Sequence, residues 1–135
     1  MRLLIDTQIF IWAVLDSPKL GSEARRVMLD ANEVIVSAAS IWEIAIKAKI
    51  GKIEGDPAEF VEAIGSSGFR ELEISARHAA RVHKLPLYHR DPFDRLLIAQ
   101  AIVEPMRLLT VDSVLGQYSE LVMTVSPGKM TMRLR

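Results

Sequence analysis

Leu3-Leu4-Ile5-Asp6-Thr7-Gln8-Ile9-Phe10-Ile11-Trp12 opens the chain, and its reading decides the fold. Leu3-Leu4-Ile5 is a short apolar run suited to a strand buried on both faces. An apolar helical stretch comes at once, from Thr7 to Leu15, and Asp16-Ser17-Pro18 breaks it. The same alternation continues outward. Ser22 to Ala31 reads as a polar helix, Glu33 to Val36 as a strand, and Ser37 to Ile50 as an apolar helix stopped by Gly51. Asp56-Pro57 and Asp91-Pro92 each place an N-cap before an N1 proline, opening helices to Gly65 and to about Glu104. Between them lie a strand at Arg70–Ile74 and a helix from Ser75 to about Lys84, broken by Pro86. A strand at Arg107–Val111, a short helix from Asp112 to Tyr118 and a last strand at Leu121–Val125 complete the series. Strands alternating with helices predict an α/β domain with a mainly parallel sheet. In such sheets the binding crevice lies at the carboxyl ends of the strands, where the strand order reverses.

The chain has 135 residues, enough for one domain with a real core and too few for two comfortable ones. A domain over 1–126 and a short basic tail over 127–135, with Lys129, Arg133 and Arg135, are expected. Half the residues are apolar, which excludes intrinsic disorder. Lys plus Arg total 17 and Asp plus Glu total 17, so a uniformly basic surface that grips nucleic acid by charge alone is also excluded. Cysteine is absent, which removes disulfides, thiolate zinc sites and cysteine nucleophiles. The longest apolar run, Ile9 to Leu15, has seven residues, far short of the ~18–20 that span a bilayer. Asp6 would interrupt the apolar region of a signal peptide. A soluble, cytoplasmic protein without a membrane partner is expected.

Four acids stand in apolar company. Asp6 is the only charge between Arg2 and Asp16, and Glu43 the only one between Glu33 and Lys47. Asp94 lies in Pro92-Phe-Asp-Arg-Leu-Leu-Ile-Ala99, and Asp112 comes directly after Leu108-Leu-Thr-Val111. Each has a structural reading. Asp91 can cap the helix after it and pair with Arg95, and Asp94 can complete a capping-box-like arrangement there. Asp6 and Asp112 can each cap the helical segment after its strand. Ser40-Ile-Trp-Glu43 reads as a capping box, and Glu43 with Lys47 as an i,i+4 pair. Together the four say more. Two end parallel strands and two lie at or near the starts of crossover helices, so all project toward one crevice. Clustered carboxylates raise each other's pKa unless a divalent cation is present. Oxygen-rich sites without Cys or paired His suit Mg²⁺ or Mn²⁺. Such a site can polarise a phosphodiester and lower the pKa of a bound water.

At these residues the chain resembles PIN domains, and within that group VapC-type toxins of bacterial or archaeal toxin–antitoxin modules. The motifs are Leu3-Leu-Ile-Asp-Thr-Gln-Ile-Phe-Ile-Trp12; Val36-Ser-Ala-Ala-Ser-Ile-Trp-Glu-Ile-Ala-Ile-Lys47 with Lys49-Ile-Gly-Lys52; His89-Arg-Asp-Pro-Phe-Asp-Arg-Leu-Leu-Ile-Ala-Gln-Ala101; and Leu109-Thr-Val-Asp-Ser113 with Tyr118 beyond it. The resemblance implies a three-layer α/β/α fold and an acidic pocket of Asp6, Glu43, Asp94 and Asp112 that holds Mg²⁺ or Mn²⁺. It also implies RNA cleavage by an activated water, in a type II toxin held inactive by a cognate antitoxin, commonly as a homodimer. Asp91 is an auxiliary acid on this reading, and Thr7 and Ser113 are hydroxyl partners that orient the carboxylates.

Other assignments fall away. A haloacid dehalogenase-type phosphatase wants a second Asp where Gln8 stands, a response-regulator receiver wants an acidic pair where Ile5 stands, and no Gly-rich phosphate loop occurs. His78 and His83 read as surface residues; His89 precedes the acid motif and is placed to touch a phosphate or an outer water. Arg90 and Arg95, within a concentration of bases from Arg77 through Arg81 and Lys84 to Arg95, and Lys47 elsewhere are candidates for substrate contact. Trp12, Trp42, Phe10 and Phe93 are read as core in preference to base-stacking platforms. Two rivals stay open: a non-catalytic RNA- or protein-binding module with a structural ion, and a regulatory metal-binding domain whose ligand is a phosphoprotein.

Overall fold

The computed structural model describes residues 1–128. The basic tail at Lys129, Arg133 and Arg135 lies outside the described residues. The elements are β1 (Arg2–Ile5), α1 (Thr7–Val14), α2 (Ser22–Asp30), β2 (Glu33–Ser37), α3 (Ala38–Lys49), α4 (Pro57–Ser66), β3 (Arg70–Leu72), α5 (Ala76–Arg81), α6 (Pro92–Val103), β4 (Arg107–Thr110) and β5 (Val122–Thr124). Two 3₁₀ turns, Val82–Lys84 and Ser113–Gln117, stand where the sequence suggests α-helix. All strand pairs are parallel and the order is β3-β2-β1-β4-β5.

The apolar run that opens the chain becomes the central strand. Leu3, Leu4 and Ile5 are fully buried because helices cover both faces of the sheet. Pairing sets Leu4 beside Ile35 and Leu108, and Ile5 beside Val36 and Leu109, so alternate rows face opposite sides. The Ile5 row packs with Ile9 and Phe10 of α1, Ile44 of α3 and Phe60 and Ile64 of α4. The Leu4 row packs with Ala39, with Leu97, Ile98 and Ala101 of α6, and with Leu85 and Leu115. These are the three α/β/α layers.

Strand order places the site. The chain runs from β1 outward through β2 to β3, then returns to the other side of β1 for β4 and β5. The order reverses beside β1, so the carboxyl ends of β1 and β4 flank the crevice. Asp6 leaves β1 there: its amide donates to Leu109 O, 3.1 Å away, while its side chain already caps α1.

Several expectations change in detail. β3 stops at Leu72, and the helix from Ser75 gives way at Val82 to a 3₁₀ turn, where Arg95 takes up the carbonyls of Val82 and Leu85. The N-cap of α3 is Ser37, which accepts from the Ala39 amide; Ser40 lies inside the helix, so no Ser40–Glu43 box forms. Asp91 caps α6 as expected, but no Asp91–Arg95 ion pair forms among the described residues. His78 is buried, only 2% exposed, because it completes a capping box with Ser75 and pairs with Glu104 at 2.6 Å. Phe10 is core, yet Trp42 is 57% exposed and meets Phe93 edge-on at 5.1 Å.

Leu4→Ala tests the central row, since neighbours on two strands and α6 cannot all close over the hole. It is expected to lower the unfolding free energy by about 2–5 kcal/mol in urea denaturation.

Candidate metal centre

Asp6 sits at the carboxyl end of β1 and is 5% exposed. Its Oδ1 accepts from the Ile9 amide at 2.9 Å, and its Oδ2 accepts from Thr110 Oγ1 at 2.6 Å. Thr110 also accepts from the Asp112 amide at 3.0 Å, so one hydroxyl joins two acids on neighbouring strands. Burial pushes the Asp6 carboxyl up to about 7; its two hydrogen bonds oppose this, and the charges of Asp94 and Glu43 add to it.

Glu43 reaches the same charge cluster from α3. It is 6% exposed; Lys47 Nζ stands 2.8 Å from its Oε2, while Oε1 is buried and has no hydrogen-bond partner among the described residues. A buried carboxylate oxygen left without donor or cation is costly. The Lys47 ammonium is stabilised by its hydrogen bond to Glu43, and by the charges of Glu43, Asp91 and Asp94, so its pKa rises although burial opposes it.

Asp94 lies in the first turn of α6, its amide bound to the capping Asp91 carboxylate at 3.0 Å. Burial, then the charge of Asp91, push the Asp94 carboxyl up to about 6; Glu43 adds to the rise, and the hydrogen bond from His89 and its charge oppose it. Asp112 caps the 3₁₀ turn after β4, its Oδ1 accepting from the Val114 amide at 3.0 Å. His89 Nε2 stands 3.0 Å from Asp94 Oδ2 and 3.8 Å from Asp112 Oδ2. One donor atom from each of His89, Asp94 and Asp112 lies within 4.8 Å of the others. Two ligands on adjacent corners of an octahedron with bonds of about 2.1 Å stand about 3.0 Å apart, so these spacings fit a shared divalent ion. The donor set and the unpartnered Glu43 oxygen both suit a hard or borderline cation.

The remaining expected residues fall differently. Thr7 Oγ1 donates to Ser40 Oγ at 2.9 Å, and Ser113 is exposed; among the described residues neither hydroxyl bonds a carboxylate. Thr110 fills the role assigned to them, because it ends β4 between Asp6 and Asp112. Its only sequence signal is one polar residue closing an apolar strand two positions before an acid. Arg95 is not free to contact a substrate. It is 9% exposed, and its guanidinium donates to Pro86 O at 2.8 Å, to Tyr118 Oη at 3.2 Å and to the carbonyls of Val82, Leu85 and His89. Arg90 is exposed, and Lys47 edges a groove of about 500 Å³ that also takes in Gln8, Leu15 and Lys52. An apolar pocket of about 490 Å³ near Met28, Leu29 and Phe69 is lined by Asn32 and Glu33 at the amino end of β2, away from the acids.

Comparison with known proteins places the chain in a family and a fold. The family model described as the PIN domain matches residues 3–121. No curated protein matches the chain. Among solved structures, the chain is similar to VapBC2 from Rickettsia felis bound to a DNA fragment from its promoter, with a TM-score of 0.69 and 17% identity over 92% of this chain and 98% of that one. It is also similar to a toxin–antitoxin complex from Klebsiella pneumoniae, with a TM-score of 0.63 and 21% identity over 90% of this chain and 96% of that one. At these identities the likeness is one of fold.

The raised carboxyls set a pH dependence. The folded Asp6 and Asp94 hold protons that an unfolded chain has already released above its ordinary carboxylate range. Their contribution is therefore complete below about pH 4 and is lost as pH rises toward about 7. The melting temperature of metal-free protein should fall across that window, and Asp6→Asn should flatten the fall. Arg95→Met, which strands several buried carbonyls, should cost about 2–4 kcal/mol in urea denaturation.

Proposed function

The chain belongs to the PIN domain family, and from that premise we propose that it is a metal-dependent endoribonuclease that hydrolyses RNA phosphodiester bonds. One observation carries the reading. Asp6 at the end of β1, Glu43 in the middle of α3 and Asp94 in the first turn of α6 act on one another, with two raised carboxyl pKa values and one buried oxygen that lacks a partner among the described residues. A divalent ion is the occupant that this charge distribution suits.

In this proposal Asp94 and Asp112 hold the ion directly, and Asp6 and Glu43 complete the negative enclosure. Bound there, Mg²⁺ or Mn²⁺ would polarise the phosphodiester and lower the pKa of a water. Thr110 keeps Asp6 oriented, and Asp91 holds the first turn of α6 so that Asp94 faces the crevice. No side chain acts as covalent nucleophile; water adds to phosphorus and the leaving ester oxygen takes a proton. Arg90 is free to meet a backbone phosphate, and Lys47 would do so if metal displaced it from Glu43.

A toxin role belongs to the same proposal. Both solved structures of similar fold named above are toxin–antitoxin assemblies, which supports reading this chain as the VapC-type toxin of a type II module, restrained by a cognate antitoxin. A homodimer is proposed with it. Trp42 and Ile46 of α3 and Ile50 at its C-cap follow at four-residue spacing and are 57%, 41% and 60% exposed, offering apolar surface to a partner chain. No helix among the described residues is long and apolar enough to cross a membrane; a cytoplasmic setting is proposed with the toxin role.

The test incubates structured and unstructured RNAs with the protein and Mn²⁺ or Mg²⁺. Wild type should cleave, EDTA should abolish cleavage, and Asp6→Asn and Asp94→Asn should each reduce it about 100-fold or more. Cleavage that survives both substitutions, or EDTA, contradicts the assignment. Metal binding without cleavage of any RNA favours the non-catalytic module instead.

A further inference from the structure

We infer that His89 is itself a metal ligand, joining Asp94 and Asp112, so that this centre carries one nitrogen donor and favours Mn²⁺ over Mg²⁺. The inference rests on the metal-dependent reading above and extends it to a residue outside the four acids.

Three observations support this centre. The first is its position between two carboxylates on different elements. Nε2 is 3.0 Å from Asp94 Oδ2, which a simple hydrogen bond explains, but also 3.8 Å from Asp112 Oδ2, which one does not. Both separations lie within the span of donors sharing one small cation, and the three donor atoms form the only such group among the described residues.

The second observation is that the backbone carrying the ring is held by a built support. The His89 amide donates to Tyr118 Oη at 2.8 Å, and Tyr118 stacks edge-on with Tyr88 at 5.1 Å. Buried Arg95 gathers the carbonyls of Val82, Leu85, Pro86 and His89 and also binds Tyr118 Oη. The two terminal nitrogens of one guanidinium thus fasten the whole 82–89 loop to α6. A loop histidine needed only for solvation would not require such anchoring. Fixing a ligand before the ion arrives removes most of the ordering cost of binding.

The third is independent of His89. Glu43 Oε1, on another helix, is buried without a partner among the described residues, and Glu43 acts on both Asp6 and Asp94. A buried carboxylate oxygen without a donor thus stands in the charge environment of Asp94, one of the three grouped donors. Lys47 serves the other Glu43 oxygen and leaves this one open.

The metal preference arises from ligand chemistry. Mg²⁺ takes oxygen almost exclusively and gives up water reluctantly, whereas Mn²⁺ accepts imidazole nitrogen alongside carboxylates.

Mn²⁺ electron spin-echo spectroscopy on the full chain tests this without measuring cleavage. Wild-type protein with Mn²⁺ should show nitrogen modulation that shifts when histidine alone is labelled with ¹⁵N, and the modulation should vanish in His89→Gln. Calorimetric Mn²⁺ affinity should weaken at least about tenfold in His89→Gln, with a smaller change for Mg²⁺. The labelled wild type gives the answer even if the variant folds poorly. Tight Mn²⁺ binding without histidine modulation overturns the ligand assignment and leaves the metal-dependent reading standing. Absence of Mn²⁺ binding overturns both.

Discussion

The hydrogen bond from Thr110 Oγ1 to Asp6 Oδ2, 2.6 Å long, joins the carboxyl ends of β1 and β4 where the strand order reverses. The threonine oxygen also accepts the Asp112 amide, so the geometry of two acids is set by the pairing of two strands. Sheet register, helix capping and site assembly are then a single constraint. Asp6 must be buried because β1 is covered on both faces, and it must be oriented because its other oxygen caps α1. Two hydrogen bonds satisfy its polarity but do not offset its charge. That remainder falls to a proton or a cation, which is why burial raises its pKa.

The zero formal charge of the chain hides this segregation. Glu43 and Asp91 act on Asp94, Glu43 and Asp94 act on Asp6, and Lys47 leans into them from the helix that carries Glu43. Arginine, by contrast, is spent differently from what a count of bases suggests. Arg95 sits within the basic stretch but holds a loop in place, whereas Arg90 is exposed, Lys52 edges the groove, and Lys47 beside it is paired with Glu43. Affinity for RNA would then come from a bound ion and a short basic edge, with no need of a basic surface.

Features that depend on local periodicity, or on charge isolated among apolar residues, are legible in the sequence. Leu3-Leu4-Ile5 reads as a doubly covered strand because no polar residue interrupts it, and Asp6 stands out because nothing nearby shares its charge. The Asp-Pro pairs at Asp56 and Asp91 mark helix starts through the geometry of a capped first turn. Illegible features depend on partners far along the chain. Thr110 and Asp6 are brought together by parallel pairing, and Arg95 meets five acceptors only once the loop has folded over it. His78 reads as a surface residue because its partners, Ser75, Gln100 and Glu104, come from the cap of its own helix and from α6 and its end. Trp42 reads as core from its apolar helical spacing, yet α3 turns it outward, since the faces bearing Ala39 and Ile44 are the ones the sheet needs.

Burial raises the Asp6 and Asp94 carboxyls to about 7 and about 6, so a cation that binds beside them competes with protons. Calorimetric titration of Mn²⁺ near pH 6.5, repeated in buffers of different ionisation enthalpy, counts the protons displaced. Binding with release of about one proton per ion is predicted, with less release as pH rises above the Asp6 range. Binding with no proton release at that pH, or no binding, would contradict it.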